Sequence, residues 1–219
     1  MSEALASDGS RKAGSGIPGG KAAATRIRLL DAAARELGQR GYAGTRLTDI
    51  GEAAGVQAPA IYYHFSNKEE LAGEVLREGL SRARQFLLDS LSAHKNDSPL
   101  ARLSVAIAAH LRLATEQSDY AAAASLRQSG EMPVAVQKAC RPEEIAFARV
   151  WKELLTEAKE AGLLRDDLEV RTAQIMLLGA LNAIGDTWKP SRGRVDEIIH
   201  GAQTLLLNGL SAEAGAQGY

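Results

Sequence analysis

Apolar residues recur along most of this chain at the three- and four-residue steps of an α-helix. Ile27, Leu30, Ala34 and Leu37 make one such stripe and predict a helix over about 22–40, with Gly41 placed to end it in a left-handed C-cap. A short segment with Leu47, Ile50 and Ala54 follows and stops at Gly55. A second short segment carries Ile61 and Phe65, with Pro59 in its first turn, where a missing N–H costs little. Two short helices joined by a turn of three or four residues beginning at a glycine have the arithmetic of a helix-turn-helix. The second of them leaves polar aromatics on its unpacked face, as a helix lying in a DNA major groove requires.

The periodicity continues to the C-terminus. Thr45 or Thr48 is placed to cap the first short helix, and Ser66 with Glu69 forms a capping box for a long helix to about Ser92. Asp97-Ser98-Pro99 opens a segment to about Glu116, and Ser118-Asp119 opens another to about Arg127. Gly130 and Pro133 break the pattern. Helices are then expected over 143–161, ended by Gly162, over 169–188, ended by Lys189-Pro190, and over 195–207. No alternating run is long enough for a strand, and no internal repeat is visible. The expected fold class is all-α with about nine helices, divided into an arm over 1–20, a helix-turn-helix domain over 21–67, a helical domain over 68–211 and a tail over 212–219.

Composition narrows the classes. The chain has 219 residues, 45% of them hydrophobic and only 5% aromatic, so it can bury a sizeable helical core. The formal net charge of −1 excludes a uniformly basic nucleic-acid binder. The charge is unevenly placed, however: residues 1–68 hold nine Lys/Arg against six Asp/Glu, and the remainder is acidic. Cys140 is the single cysteine, so no internal disulfide can form, and the N-terminus lacks the apolar core of a signal peptide. The most apolar stretch, 175–184, is too short to span a membrane and contains Asn182. These features predict a cytoplasmic chain without a membrane partner.

Catalytic and cofactor motifs fail in context. Gly14, Gly16 and Gly19 match a dinucleotide fingerprint by letter, but no strand precedes them and Pro18 interrupts. Gly20-Lys21 lacks the leading glycine and the trailing hydroxyl of a phosphate-binding loop. His64, His94, His110 and His200 have no metal-ligand spacing, Cys140 has no neighbouring histidine, and no nucleophile elbow is present. Asp166-Asp167 and Glu143-Glu144 read as first-turn charges favoured by the helix dipole. No catalytic residue, metal or cofactor is expected.

Residues 22–71 resemble the DNA-binding domain of TetR-family transcriptional regulators. The likeness rests on Ile27 and Ala32-Ala33, Gly41-Tyr42, Thr45, Asp49-Ile50, Ala53-Ala54-Gly55-Val56, the string Ile61-Tyr62-Tyr63-His64-Phe65, and Asn67-Lys68-Glu69-Glu70-Leu71. Residues 163–210 more loosely resemble members that sense lipids or acyl-CoA thioesters. The resemblance implies a homodimer on palindromic operator DNA, with the helix near Ala58–His64 as recognition helix. It implies DNA contact by Thr45, Arg46, Thr48, Ala58, Pro59, Ala60, Tyr62, Tyr63, His64 and Lys68. Tyr62 has a competing reading as core and Lys68 as a solvated lysine, while the family more often carries a small hydroxyl residue at the position of Arg46. The recognition helix lacks Arg, Asn and Gln, so bidentate base reading is thin and DNA shape gains weight.

The resemblance further implies a small hydrophobic or acyl-CoA-type effector in the C-terminal helices. Arg112, Tyr120, Phe147, Trp151, Asn182 and Trp188 are the candidate lining groups, against a competing reading of each as ordinary core or surface. Asn182 interrupts an apolar segment and needs a partner if buried. Met176, Leu177, Ala180, Ile184, Ile198, Ala202 and Leu205 are the candidate dimer contacts; spacing does not separate them from intrachain core. The alternative function is a DNA-binding and dimerising module without an effector.

Overall fold

The computed structural model describes residues 18–115, 118–126, 130, 132–188 and 193–211. Most of the expected arm and the whole expected tail lie outside them. Among the described residues the chain forms nine helices and no strand: α1 (Pro18–Gly44), α2 (Leu47–Ala54), α3 (Ala58–His64), α4 (Lys68–Ser92), α5 (Pro99–Thr115), α6 (Asp119–Ser125), α7 (Val134–Glu160), α8 (Val170–Thr187) and α9 (Val195–Leu210). A lone antiparallel bridge pairs Leu164 with Ser211. No helix among the described residues is long and apolar enough to cross a membrane.

Helix α1 begins at Pro18, inside the expected arm, and Gly41 interrupts it with φ 69° and ψ 174°. Its buried stripe is Leu29, Leu30, Ala33, Ala34 and Leu37. Ile27, expected in that stripe, is 56% exposed; the inward position one turn before Ala33 belongs to Leu29. Helix α7 departs most from expectation. It starts at Val134, nine residues before the expected Glu143, and runs through Pro142. A mid-helix proline removes one backbone hydrogen bond. Val136 and Cys140 are fully buried and continue the stripe of Trp151, Leu154, Leu155 and Ala158 towards the N-terminus, so side-chain burial outweighs that loss.

Two apolar cores share α4 and α7. One gathers α1 to α3, the first half of α4, Tyr120 and Ala123 of α6, and Val136 and Cys140 of α7. The other gathers Leu87 and Leu91 of α4 with α5, α8, α9 and the second half of α7. Leu71, Val75, Leu76 and Leu80 of α4 are packed into the core that holds the helix-turn-helix, so packing is continuous across the expected boundary at 67/68. At 25 residues, α4 is about 37 Å long and reaches both cores as one rigid rod.

Candidate nucleic-acid interface and effector cavity

The helix-turn-helix is held by its glycines. Gly55 is left-handed (φ 65°, ψ 38°); its N–H donates to the Glu52 carbonyl at 3.1 Å, and that of Val56 donates to the Gly51 carbonyl at 2.9 Å. This pair of bonds is a Schellman cap, which satisfies the free carbonyls that end α2. A Cβ on Gly51 would stand 2.7 Å from Cδ1 of Ile61 and 3.2 Å from the Val56 carbonyl, so α3 packs closely on α2 at a position where any side chain would displace Ile61. Ile61 and Phe65 are each 1% exposed and anchor α3 from below.

That anchoring turns the rest of α3 outwards. Tyr62 is 60% and Tyr63 78% exposed, which removes the core reading of Tyr62. The His64 ring meets the edge of Tyr63 at 4.9 Å between centroids. Ala58, Pro59, Arg46 and Thr48 are also exposed, and Ala60 is half-buried. Together they form one surface of aromatic rings, small apolar groups and a single guanidinium.

Two candidates sit elsewhere. Thr45 is 1% exposed, and its hydroxyl donates to the Gly41 carbonyl at 2.7 Å and approaches the Glu36 carbonyl at 3.1 Å. It neither caps α2, whose N-cap is Arg46 without a side-chain bond, nor offers surface to DNA. It closes the turn opened by Gly41. Nor does Thr48 cap α2; its hydroxyl lies 3.5 Å from Oδ1 of Asp49. Lys68 Nζ donates to the Tyr42 carbonyl at 2.9 Å and to the Thr45 carbonyl at 3.0 Å, and lies 4.0 Å from the centroid of the Tyr42 ring. Two of its three donors thus tie α4 to the turn before α2. The cap of α4 is one residue later than expected: Asn67 accepts from the Glu70 N–H at 2.8 Å, and Glu70 returns a carboxylate to the Ser66 N–H at 2.7 Å. Further straps hold the unit. Arg40 lies 3.1 Å from both Glu36 and Asp49, and Arg26 lies 2.6 Å from Glu74 with its guanidinium 5.2 Å from the Phe65 ring centroid.

Behind this unit lies a cavity of about 1010 Å³ walled by α4 to α8 and by Gly38 and Gln39 near the end of α1. Gly79 brings α4 against α6, since a Cβ there would meet the Tyr120 carbonyl at 2.9 Å. The Tyr120 hydroxyl donates to Asp31 of α1 at 3.0 Å, and the Arg82 guanidinium lies 3.9 Å from its ring centroid. Burial, together with the Asp31 carboxylate, pushes the Tyr120 phenol well above its ordinary range. Of the candidate lining groups, Tyr120, Phe147, Asn182 and Trp188 come together on this cavity. Trp188 Nε1 is buried with no hydrogen-bond partner among the described residues. Trp151 is fully buried, with its ring against His110 at 5.8 Å, and Arg112 points outwards to Asp196 at 3.5 Å. The sequence reading missed Arg82, His110 and Glu144, which also line the cavity. Arg82 was hidden by its ion pair with Glu78 one turn earlier, which reads as an ordinary surface pair.

On α8 and α9 the candidate contacts divide. Met176 and Leu205 are 65% and 77% exposed. Leu177 and Ala202 are buried in the chain's own core; Ile184 and Ile198 pack partly against it, and Ala180 is half-buried. The inward phase of α8 is Ala173, Leu177 and Leu181, which turns Ile175, not foreseen, outwards beside Met176. A groove of about 320 Å³ runs between Met176 and Leu205.

The family model described as "Tetracyclin repressor-like, C-terminal domain" matches residues 96–210, more than half of the chain, and that described as "Bacterial regulatory proteins, tetR family" matches residues 29–75. The chain belongs to the TetR family. It is therefore a DNA-binding transcriptional regulator, and the helix-turn-helix above is the TetR DNA-binding unit. Its relatives include the fatty acid metabolism regulator protein of Bacillus subtilis (strain 168), 22% identical over 84% of this chain and 94% of the relative. The transcriptional regulator AcrR of Shigella flexneri is 29% identical over 75% and 78%. Among solved structures, FadR of Bacillus subtilis in complex with stearoyl-CoA has a TM-score of 0.72 at 21% identity, covering 84% of this chain and 98% of that one. AibR in complex with isovaleryl coenzyme A and operator DNA has a TM-score of 0.71 at 20% identity, covering 86% and 98%. Those structures share this TetR fold.

Proposed function

We propose that the chain acts as a homodimeric repressor, released from a palindromic operator when a small hydrophobic or acyl-CoA-type effector fills the cavity behind the helix-turn-helix. The observation that carries this reading is that α4 and α6 wall the cavity and also pack on the DNA-binding unit. Gly79, Leu80, Arg82 and Ala83 line it from α4, and Tyr120 lines it while bonded to Asp31 of α1. An occupant that moves α4 or α6 by a few ångströms moves α1 with them.

Tyr62, Tyr63, Thr48, Arg46 and His64 are the residues proposed to meet DNA, with Ala58, Pro59 and Ala60 giving apolar contact to thymine methyl groups. One such unit offers few phosphate contacts. Two of them, on half-sites about 34 Å apart, double the contacts and make the separation of the recognition helices decisive. The exposed apolar groups Ile175, Met176 and Leu205 are the proposed dimer face. Release requires the effector to bind the DNA-incompetent spacing more tightly than the competent one. Support for an acyl-CoA effector comes from the ligands named for FadR and AibR.

A thermal-shift screen against the full chain, paired with retention of a duplex selected from a random pool, tests the reading. An effector raises the unfolding midpoint and releases the duplex. If compounds that fit the cavity change neither, the chain is a dimerising DNA-binding module without a small-molecule input.

A further inference from the structure

We propose that α7 carries a peripheral docking surface for an anionic lipid bilayer. A single line of cations carries the inference. With 3.6 residues per turn, Val134, Lys138, Arg141, Ile145, Arg149 and Lys152 all lie within about 40° of the direction of Ile145. All six are exposed, Val134 at 64% and Ile145 at 52%. From Lys138 to Lys152 the line runs about 21 Å along one helix. None of its four cations makes a hydrogen bond or ion pair among the described residues. Elsewhere the molecule pairs its guanidiniums: Arg26, Arg35 and Arg40 of α1 and Arg77, Arg82 and Arg84 of α4 each face a carboxylate.

The acids of α7 do not neutralise the line. Glu143 pairs with Arg84 and Glu157 with Arg102, while Glu144 lines the cavity with the Cys140 thiol beside it. Glu153 and Glu160 are exposed but stand about 80° and 60° round the helix from Ile145. Lys159 is in phase with the line but is held by the Arg165 and Asp166 carbonyls. In a chain of net charge −1, four unpaired cations in one row are a concentrated exception. A straight row on a rigid helix suits an extended anionic surface, and its apolar members decide which kind. Val134 and Ile145 stand in line with the cations, and the headgroup boundary of a bilayer accepts such side chains. A phosphate backbone offers them no apolar partner. Lysine and arginine stems add apolar length below their charged heads, so the whole face can rest among lipid phosphates. The opposite face of α7, with Val136, Cys140 and Trp151, is buried core, and no described helix is long and apolar enough to cross a membrane. The docking is therefore peripheral, and it revises the expectation of no membrane partner, which rested on spanning segments alone.

Co-sedimentation of the full-length chain with lipid vesicles tests this. Vesicles of phosphatidylcholine alone are compared with vesicles of phosphatidylcholine and phosphatidylglycerol in equal parts. The selected duplex is kept in excess, so that the exposed tyrosines of α3 are occupied. Binding is expected to the anionic vesicles only. It is expected to vanish between about 0.1 M and 1 M salt, as the screening length shortens from about 10 Å to about 3 Å. Each cation near an anionic surface contributes about fivefold in partition, so K138Q/R149Q is expected to bind about 25-fold more weakly. V134S/I145S is expected to bind several-fold more weakly with its salt dependence unchanged. Both double variants alter only exposed side chains and are expected to keep their helical content and their grip on the duplex. They are independent, so misfolding of one leaves the other to locate the surface on α7. Equal binding to both kinds of vesicle overturns the proposal, as does binding that survives 1 M salt, or a folded K138Q/R149Q that binds as the wild type does. Capture of a second, unselected duplex in place of the vesicles also overturns it and makes the row a nucleic-acid surface.

Discussion

Lys68 holds Tyr42 by two means at once: its ammonium donates to the Tyr42 carbonyl at 2.9 Å and lies 4.0 Å from the centroid of the Tyr42 ring. A second bond from the same nitrogen, to the Thr45 carbonyl, closes the turn between α1 and α2 from the side of α4. The lysine therefore acts on DNA binding through the shape of the helix-turn-helix. Lys68→Ala is expected to destabilise the fold by about 1–3 kcal/mol, since two carbonyls in part-buried bonds lose a charged donor. Denaturant titration measures this. Operator affinity falls with it, while the slope of log affinity against log salt stays as in the wild type. A lysine on a phosphate would instead flatten that slope by about 0.9 per protomer.

Tyr63 gives the opposite signature. At 78% exposure it contributes little to the core, so Tyr63→Ala leaves the unfolding midpoint within about 0.5 kcal/mol of wild type. Loss of a contact at the centre of the recognition surface lowers operator affinity by about tenfold or more, measured by fluorescence anisotropy. Wild-type binding itself is expected to follow salt with a shallow slope of about −2, from the Arg46 guanidinium in each of two protomers. A Tyr63→Ala protein that holds the duplex as tightly as the wild type contradicts the assignment of α3 as recognition helix.

Two glycines of the motif are distinguished by what surrounds them. Gly55 has a positive φ and nothing within 4 Å of its would-be Cβ, so Gly55→Ala adds only backbone strain, about 1 kcal/mol. Gly51 has ordinary helical geometry but faces Ile61 at 2.7 Å and the Val56 carbonyl at 3.2 Å. Gly51→Ala displaces the buried Ile61 side chain and crowds the Val56 carbonyl, and is expected to cost about 1–3 kcal/mol and to weaken operator binding. Equal stability of the two variants in denaturant titration would contradict the close crossing of the helices.

Sequence reading located the helix-turn-helix because its spacing is local: Leu47, Ile50 and Ala54 close one face within two turns, and Ile61 and Phe65 close the next. Roles set by distant chain segments were illegible. Thr45 looks like a cap until the backbone of α1 takes its hydroxyl, and Lys68 looks solvated until Tyr42, 26 residues earlier, comes beneath it. The helix expected over 143–161 begins at Val134 instead, because burial of Val136 and Cys140 carries α7 through Pro142. Of the lining candidates, Trp151 takes its competing reading as core, because the phase of α7 turns it wholly inwards. The phase of α8 likewise separates exposed Met176 from buried Leu177, a difference of one residue that only packing decides.

Alkaline pH gives a further test of the turn held by Lys68. Burial, and then the Glu69 carboxylate beside it, pushes the Tyr42 phenol from its ordinary value of 10.0 up to about 12. Below pH 10 the phenol is neutral in the folded and the unfolded chain alike. Between pH 10 and about 12 the unfolded chain gives up the proton while the folded chain retains it, so the unfolded state is favoured increasingly as pH rises. The unfolding midpoint is expected to fall across this window. Tyr42→Phe, which keeps the ring under Lys68, makes the fall shallower; the raised value at Tyr120 leaves a remainder. Identical pH profiles for Tyr42→Phe and wild type would contradict burial of the Tyr42 hydroxyl.

Dimerisation is tested where apolar side chains face solvent in the isolated chain. Met176 and Leu205 flank one groove, and Ile175 extends the patch along α8. Leu205, at 77% exposure, makes few contacts within its own chain, so Leu205→Glu is expected to leave the helical content and the monomer core intact. Placed across a two-fold axis, the substitution sets a desolvated carboxylate against an apolar surface in both protomers, because an isologous interface repeats every change. The wild type is expected to sediment as a dimer and Leu205→Glu as a monomer at micromolar concentration. Leu177→Ala separates the two kinds of position. Leu177 is 1% exposed, so its truncation costs about 2–5 kcal/mol of core stability. A Leu205→Glu protein that stays dimeric places the interface on a different face of the molecule.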